Sequence, residues 1–169
     1  MTETTGKWLL DPAGSSAKFG VRHFWGAITV HGTMGPMSGE AVVSPDGSAT
    51  GRISFDVRSL DTGHRKRDEH LRSADFFDTD SHPRAVLTVT SAHPAGADTL
   101  ECRGTFEVAG HGRQVTFSAH IQEATARSVV LTAELSVNRA EFGMTWSPLH
   151  MASTTALGSV TARFTRPPR

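Results

Sequence analysis

The chain has 169 residues, enough for one domain, with Lys+Arg and Asp+Glu both at 17 and a formal net charge of zero with its histidines neutral. That balance supplies no global field to draw in nucleic acid or anionic lipid, which sets both low among its functions. A single cysteine, Cys102, excludes an intramolecular disulfide and a cysteine-rich zinc site.

Period-two alternation dominates and puts one set of side chains on each face of a sheet. After the turn Asp11-Pro12-Ala13-Gly14, strands are predicted over Ala17–Phe24, Ala27–Met34 and Gly39–Ser44. Beyond Pro45-Asp46-Gly47, Ile53, Phe55 and Val57 alternate with Arg52, Ser54, Asp56 and Arg58. Only Gly63–Ser73 reads as helix, with Asp61 or Thr62 as its cap. Within it Arg65 faces Glu69, His64 faces Asp68, and Asp68 faces Arg72, each pair four residues apart and worth about a few tenths of a kcal/mol.

Strands resume over Val86–Ser91 and Leu100–Val108, separated by Pro94-Ala95-Gly96. After Ala109-Gly110-His111-Gly112 come Val115, Phe117, Ala119 and Ile121, then the longest run, Val129, Leu131, Ala133, Leu135 and Val137. Two more strands are predicted over Arg139–Met144 and Ser159–Thr165. Short alternating strands at this spacing imply an antiparallel sandwich or barrel. Their number and length favour an all-β, single up-and-down barrel, because closure removes exposed edges. We expect one domain over residues 1–169, an ordered core over 7–166 and loose ends. Nothing approaches the ~18 apolar residues of a membrane span. With Met1 and Glu3 and no leader-like apolar run, the expectation is a cytoplasmic protein.

Several segments, in order and spacing, carry a resemblance to a known family. They are Trp8-Leu9-Leu10-Asp11, Ser15-Ser16-Ala17-Lys18-Phe19, Val21-Arg22-His23 and Val30-His31-Gly32-Thr33-Met34. The strongest is Ser59-Leu60-Asp61-Thr62, then Arg67-Asp68-Glu69-His70-Leu71-Arg72-Ser73, Asp75-Phe76-Phe77-Asp78 and His82-Pro83, with Arg139-Ala140-Glu141-Phe142-Gly143-Met144 closing the set. The chain resembles, nearly end to end, the YceI-like family of polyisoprenoid-binding proteins, which have an extended lipocalin-like barrel. The resemblance implies an apolar channel holding a polyisoprenoid, isoprenoid quinone or fatty amide, with no catalysis and no cofactor. The segment Ser147-Pro148-Leu149-His150-Met151 departs from the familiar pattern.

A barrel of about eight strands either fills with its own side chains or holds one slender ligand. The absence of tyrosine and a wall rich in Val, Ala, Thr and Gly favour room inside, with Met34, Met37, Met144 and Met151 as adaptable lining. The expected wall comprises Phe19, Val21 and Phe55, then Leu71, Phe76 and Phe77 around the helix. It continues through Leu131, Leu135 and Val137 to Phe142 and Met144. Head-group candidates are His23, Arg67, His70 and Arg139, arginine's planar fork being suited to phosphate. On the plainer reading Arg67 and Asp68 pair to lock the helix to the rim, His70 is a turn residue, and His23 is a hydrogen-bonded wall residue. Arg139 then sits at a strand end, bonded to a carboxylate such as Glu141 or Asp75.

Three rival functions stand beside the lipid carrier. A filled barrel would be a protein-interaction module without lipid. An enzyme acting on a lipophilic molecule lacks a Gly-x-Ser-x-Gly element, and Cys102 reads as a small buried residue. A metal site has no support from histidine spacing. The expected partner is a long hydrophobic small molecule, with no nucleic acid and no integral membrane segment, and a homodimer is left open.

Overall fold

The computed structural model describes residues 4–23, 28–144 and 152–167. Ten strands run β1 Gly6–Leu10, β2 Ser16–His23, β3 Ile28–Met34, β4 Met37–Val43, β5 Ala49–Asp56, β6 Arg84–Pro94, β7 Thr99–Val108, β8 His111–Ala124, β9 Ser128–Asn138 and β10 Ala152–Thr165. One helix, α1 Arg65–Arg72, interrupts them between β5 and β6.

The sheet order β1-β4-β5-β6-β7-β8-β9-β10 closes on itself where β10 returns to β1, giving an eight-stranded antiparallel barrel. Closure rests on the pairs Leu9↔Thr165 and Leu10↔Phe164, continued by the Asp11 N–H, which donates to the Arg163 carbonyl at 2.7 Å. The 14 residues of β10 outrun this contact. Their earlier part, Ala152–Thr161, pairs with β2, which carries β3 on its other edge. The β2–β3 hairpin therefore raises the wall on one side. The step between β1 and β2 is made by a 3₁₀ turn, Pro12–Gly14. Pro12 has no N–H to give a ladder, and the Asp11 carboxylate accepts from the Ala13 N–H at 3.1 Å.

Above β4 and β5 the wall opens between β3 and β6, and residues 57–83 fill that gap. Their anchor is a backbone bridge: the Thr33 N–H donates to the Asp61 carbonyl at 2.9 Å, and the Asp61 N–H returns to Thr33 at 3.0 Å. Beneath it Val57 and Leu60 are fully buried. Gly32 makes the approach possible, since a Cβ there would lie 2.9 Å from the Thr62 methyl group and 2.4 Å from the Phe19 ring.

Helix α1 has eight residues, too few to stand alone. Side chains tie it to the backbone of the preceding segment. Arg72 donates from Nε to the Arg58 carbonyl at 2.8 Å and from Nη2 to the Leu60 carbonyl at 2.9 Å. The buried Asp68 carboxylate accepts from the Thr62 N–H at 3.0 Å and from its hydroxyl. Arg67 reaches the same residue, donating to its hydroxyl at 2.8 Å and its carbonyl at 2.9 Å.

Three local expectations need correction. The cap is His64, whose Nδ1 accepts from the Arg67 N–H, rather than Asp61 or Thr62. Arg65 does meet Glu69 at 3.3 Å, but Asp68 and Arg72 turn to the backbone instead of each other, because buried polar groups are satisfied first. Arg139–Met144 is not a strand: Arg139–Phe142 is a 3₁₀ turn. The Asn138 side chain accepts from the Ala140 N–H to start it, and Gly143, at φ 78°, ends it in the left-handed conformation. Strand β1 went unassigned because five residues carry too little alternation. The predicted strand ends Phe24 and Ala27 lie outside the described residues.

Replacing Arg72 with alanine strips two carbonyls of their donor. We expect a loss of about 1–3 kcal/mol, read as a lower urea midpoint at unchanged m.

Candidate functional site: an apolar lumen

Inward-facing side chains of the barrel surround one elongated cavity of about 1070 Å³. Alternation explains the wall. On β9, Val129, Leu131, Ala133, Leu135 and Val137 all border the cavity, while Glu134 and Ser136 face outward. Small residues leave the space. Ala92, Cys102 and Ala119 form a buried cluster on β6, β7 and β8, and Ala17, Ala85 and Ala162 line the wall elsewhere.

The end near the chain termini is shaped by Trp8, which is 3% exposed. Its indole N–H donates to the Thr4 carbonyl at 2.9 Å. The Arg166 guanidinium lies 4.8 Å from the ring centroid, a cation–π contact, and donates to the Thr5 carbonyl at 3.2 Å. At the other end α1 and the loop after it bring Leu71, Phe76 and Phe77 to the cavity, with Phe77 edge-on to Phe19 at 6.0 Å.

The structure places every predicted wall residue along this cavity: Phe19, Val21, Phe55, Leu71, Phe76, Phe77, Leu131, Leu135, Val137, Phe142 and Met144. Of the methionines, Met34 and Met144 border it and Met37 is buried in the core; Met151 lies outside the described residues. Arg67, His70 and Arg139 border the lumen as well. His70 pairs with Asp75 at 2.8 Å. Arg139 is 5% exposed and donates from Nη1 to the Met144 carbonyl at 2.6 Å. Burial pulls its pKa below the usual arginine value, since a charge leaving water is penalised. The side chain of His23 lies outside the described residues. Sequence reasoning passed over Trp8, Leu87, Phe106, Phe117 and Phe164 as lining; the Trp8 motif was visible, but its inward face was not.

Cys102 is the one thiol in the wall. Burial first, and the neighbouring Glu101 charge second, push its pKa up to about 11.

Barrel, lumen and helical cover define a lipocalin-like binding fold. The chain belongs to the YceI-like domain family, whose pattern matches residues 8–164. It is 32% identical over 118 residues to Protein YceI of Shigella flexneri, covering 68% of this chain and 61% of that protein. A UPF0312 protein of Vibrio cholerae serotype O1 is 30% identical over 116 residues, covering 66% and 61%. This chain therefore spans about 61% of the length of the curated relatives it matches. Among solved structures, Burkholderia cenocepacia BcnA superposes with a TM-score of 0.82 at 16% identity, covering 91% of this chain and 98% of that one. A polyisoprenoid-binding domain from Saccharophagus degradans, described as implicated in plant cell wall breakdown, gives 0.76 at 18% identity, covering 95% and 98%. Both show the same fold.

With a pKa near 11, Cys102 should alkylate with iodoacetamide at pH 8 roughly two orders of magnitude more slowly than a free cysteine. Peptide mass mapping over time measures this. An ordinary rate would mean that the thiol does not lie in a low-dielectric wall.

Proposed function

We propose that the protein binds one long hydrophobic molecule in its lumen and sequesters or carries it, without chemistry of its own. The ligand class is a polyisoprenoid, an isoprenoid quinone or a fatty amide, and the setting is the cytoplasm. The observation that carries this reading is the continuous apolar cavity of about 1070 Å³. At roughly 30 Å³ for a group the size of a water molecule, it has room for about 35 carbon-sized groups. Each buried methylene contributes about 0.8 kcal/mol, so a dozen offer roughly 10 kcal/mol before entropy costs.

The family membership and the polyisoprenoid-binding description of the Saccharophagus domain support the same reading. A filled barrel is disfavoured by the space itself. An enzyme using Cys102 as nucleophile is disfavoured by its thiol, which at pH 7 is almost wholly protonated.

Native mass spectrometry of freshly purified protein, followed by organic extraction, tests the proposal. A discrete added mass that extracts as a prenyl chain, quinone or fatty derivative is the expected result. A bare chain, unchanged after incubation with such lipids, would overturn it. Ala119→Phe should then keep the fold while its ring displaces about three methylenes' worth of ligand. We expect a loss of roughly 2 kcal/mol, or about thirtyfold in Kd, by fluorescence titration.

A further inference from the structure

Among the described residues, the wall is not hydrogen-bonded along its whole height. β8 pairs with β9 from Ala124↔Val129 up to Ala119↔Ala133, past an irregularity between Ile121 and Glu123, and stops there. Beyond that point His111–Ser118 still pair with β7, and Glu134–Asn138 still pair with β10. Their facing edges have no backbone partner among the described residues. Backbone N–H and C=O groups left this way must find water or a ligand. Among the described residues, a seam without backbone pairing thus runs between β8 and β9 above Ala119 and Ala133.

Two features give the seam chemistry. Phe117 and Leu135, the first inward residues above its foot, are half-buried and border the lumen. Outside, at the foot, lies a groove of about 490 Å³ walled by Ser118, His120, Thr132, Glu134, Ser159 and Thr161. Groove and lumen share Thr132, Ala133 and Val160 as lining, so only one layer of wall separates them. The groove offers hydroxyls, an imidazole and a carboxylate, and no lysine or arginine lines it. Ser118 already donates to Glu101 at 2.8 Å, and Thr132 accepts from Gln122 at 3.0 Å.

The α1 end contrasts with this. Arg67 has Nε and Nη2 engaged with Thr62, and Arg72 is engaged with two carbonyls. We propose that the ligand lies across the seam, its tail in the lumen and its polar head in the groove between β8 and β9. The head is an uncharged group that both donates and accepts, an amide or an alcohol. An open β edge and the Glu134 carboxylate suit such a head, whereas a carboxylate or phosphate would meet Glu134 in a groove that no lysine or arginine lines, Lys18 standing one strand further out beside Ser159.

This proposal rests on the luminal reading, and one experiment separates the two. Isotope-labelled protein is loaded with dodecanamide bearing a nitroxide on its amide nitrogen, with occupancy read by native mass spectrometry. The expected result is paramagnetic broadening of the backbone resonances of His120, Glu134 and Ser159, with those of Lys66 and His70 unaffected. Broadening centred on Lys66 and His70 would keep the lumen and overturn the seam; no bound probe would overturn both. In competition, unlabelled dodecanamide should outbind dodecanoate by at least about tenfold at neutral pH, equivalent to about 1.4 kcal/mol. Glu134→Lys, an exposed position, should shift that preference toward the acid. An unchanged preference would place the head elsewhere.

Discussion

Everything inside this molecule depends on a short closure. β10 meets β1 over a short stretch, two residue pairs and the Asp11 N–H that donates to the Arg163 carbonyl at 2.7 Å, and without it eight strands would form an open, twisted sheet with two exposed edges. The contact is short because β1 has five residues and is stepped away from β2 by the turn at Pro12. What reinforces it lies one layer deeper. Arg166, just past β10, covers Trp8 of β1 and ties into the Thr5 carbonyl. A buried indole and a guanidinium thus seal what backbone bonds alone hold weakly.

Once closed, an eight-strand barrel has an interior that ordinary side chains can fill. Here they do not. Alanine stands at inward positions on β2, β6, β8 and β10, where Val or Leu would suit a sealed core. Packing is a strong driver of folding, and a lining without partner atoms forfeits dispersion contacts. Such a wall makes sense if a guest supplies the missing atoms. The same logic explains the charged stretch around α1. A helix this short and polar cannot roof an apolar space by its own packing, so Arg72, Asp68 and Arg67 fasten it to carbonyls and to Thr62. Its few apolar residues, Leu71 and then Phe76 and Phe77, remain to face the lumen.

Most of the barrel was legible because alternation is a physical consequence of the pleat. The inward phase of the wall residues on β9 followed from alternation alone, and a ligand-lining role for them was what the family resemblance implied. Capping and closure were not legible. That His64 caps α1, or that Arg72 seeks carbonyls rather than Asp68, depends on which backbone groups are left unpaired in three dimensions. Arg139–Phe142 was read as strand because Ala140 and Phe142 alternate with Arg139 and Glu141. The Asn138 cap and Gly143 override that pattern with local hydrogen bonds. The loss of pairing between β8 and β9 leaves no mark on the sequence, since Val115, Phe117, Leu135 and Val137 alternate as well there as anywhere.

That last point bears on how a ligand of the proposed kind would reach the lumen. The lumen reaches the turns between β4 and β5 and between β6 and β7, where Asp46, Gly47, Gly96 and Ala97 border it, while at the other end α1 and its preceding segment are fastened by side-chain bonds. The seam needs no bond broken between its facing edges, because none is made there among the described residues. Strand pairing below it and the 3₁₀ turn above it fix its length, with Phe142 of that turn packed edge-on to Phe106 at 5.8 Å. Hydrocarbon lying between two unpaired edges would meet polar backbone, an unfavourable contact that disfavours a tail resting there. The same edges favour a head group able to bond to them. With a ligand lying across it as proposed, such a wall would select by the chemistry of one terminus, and the small luminal residues would select by length.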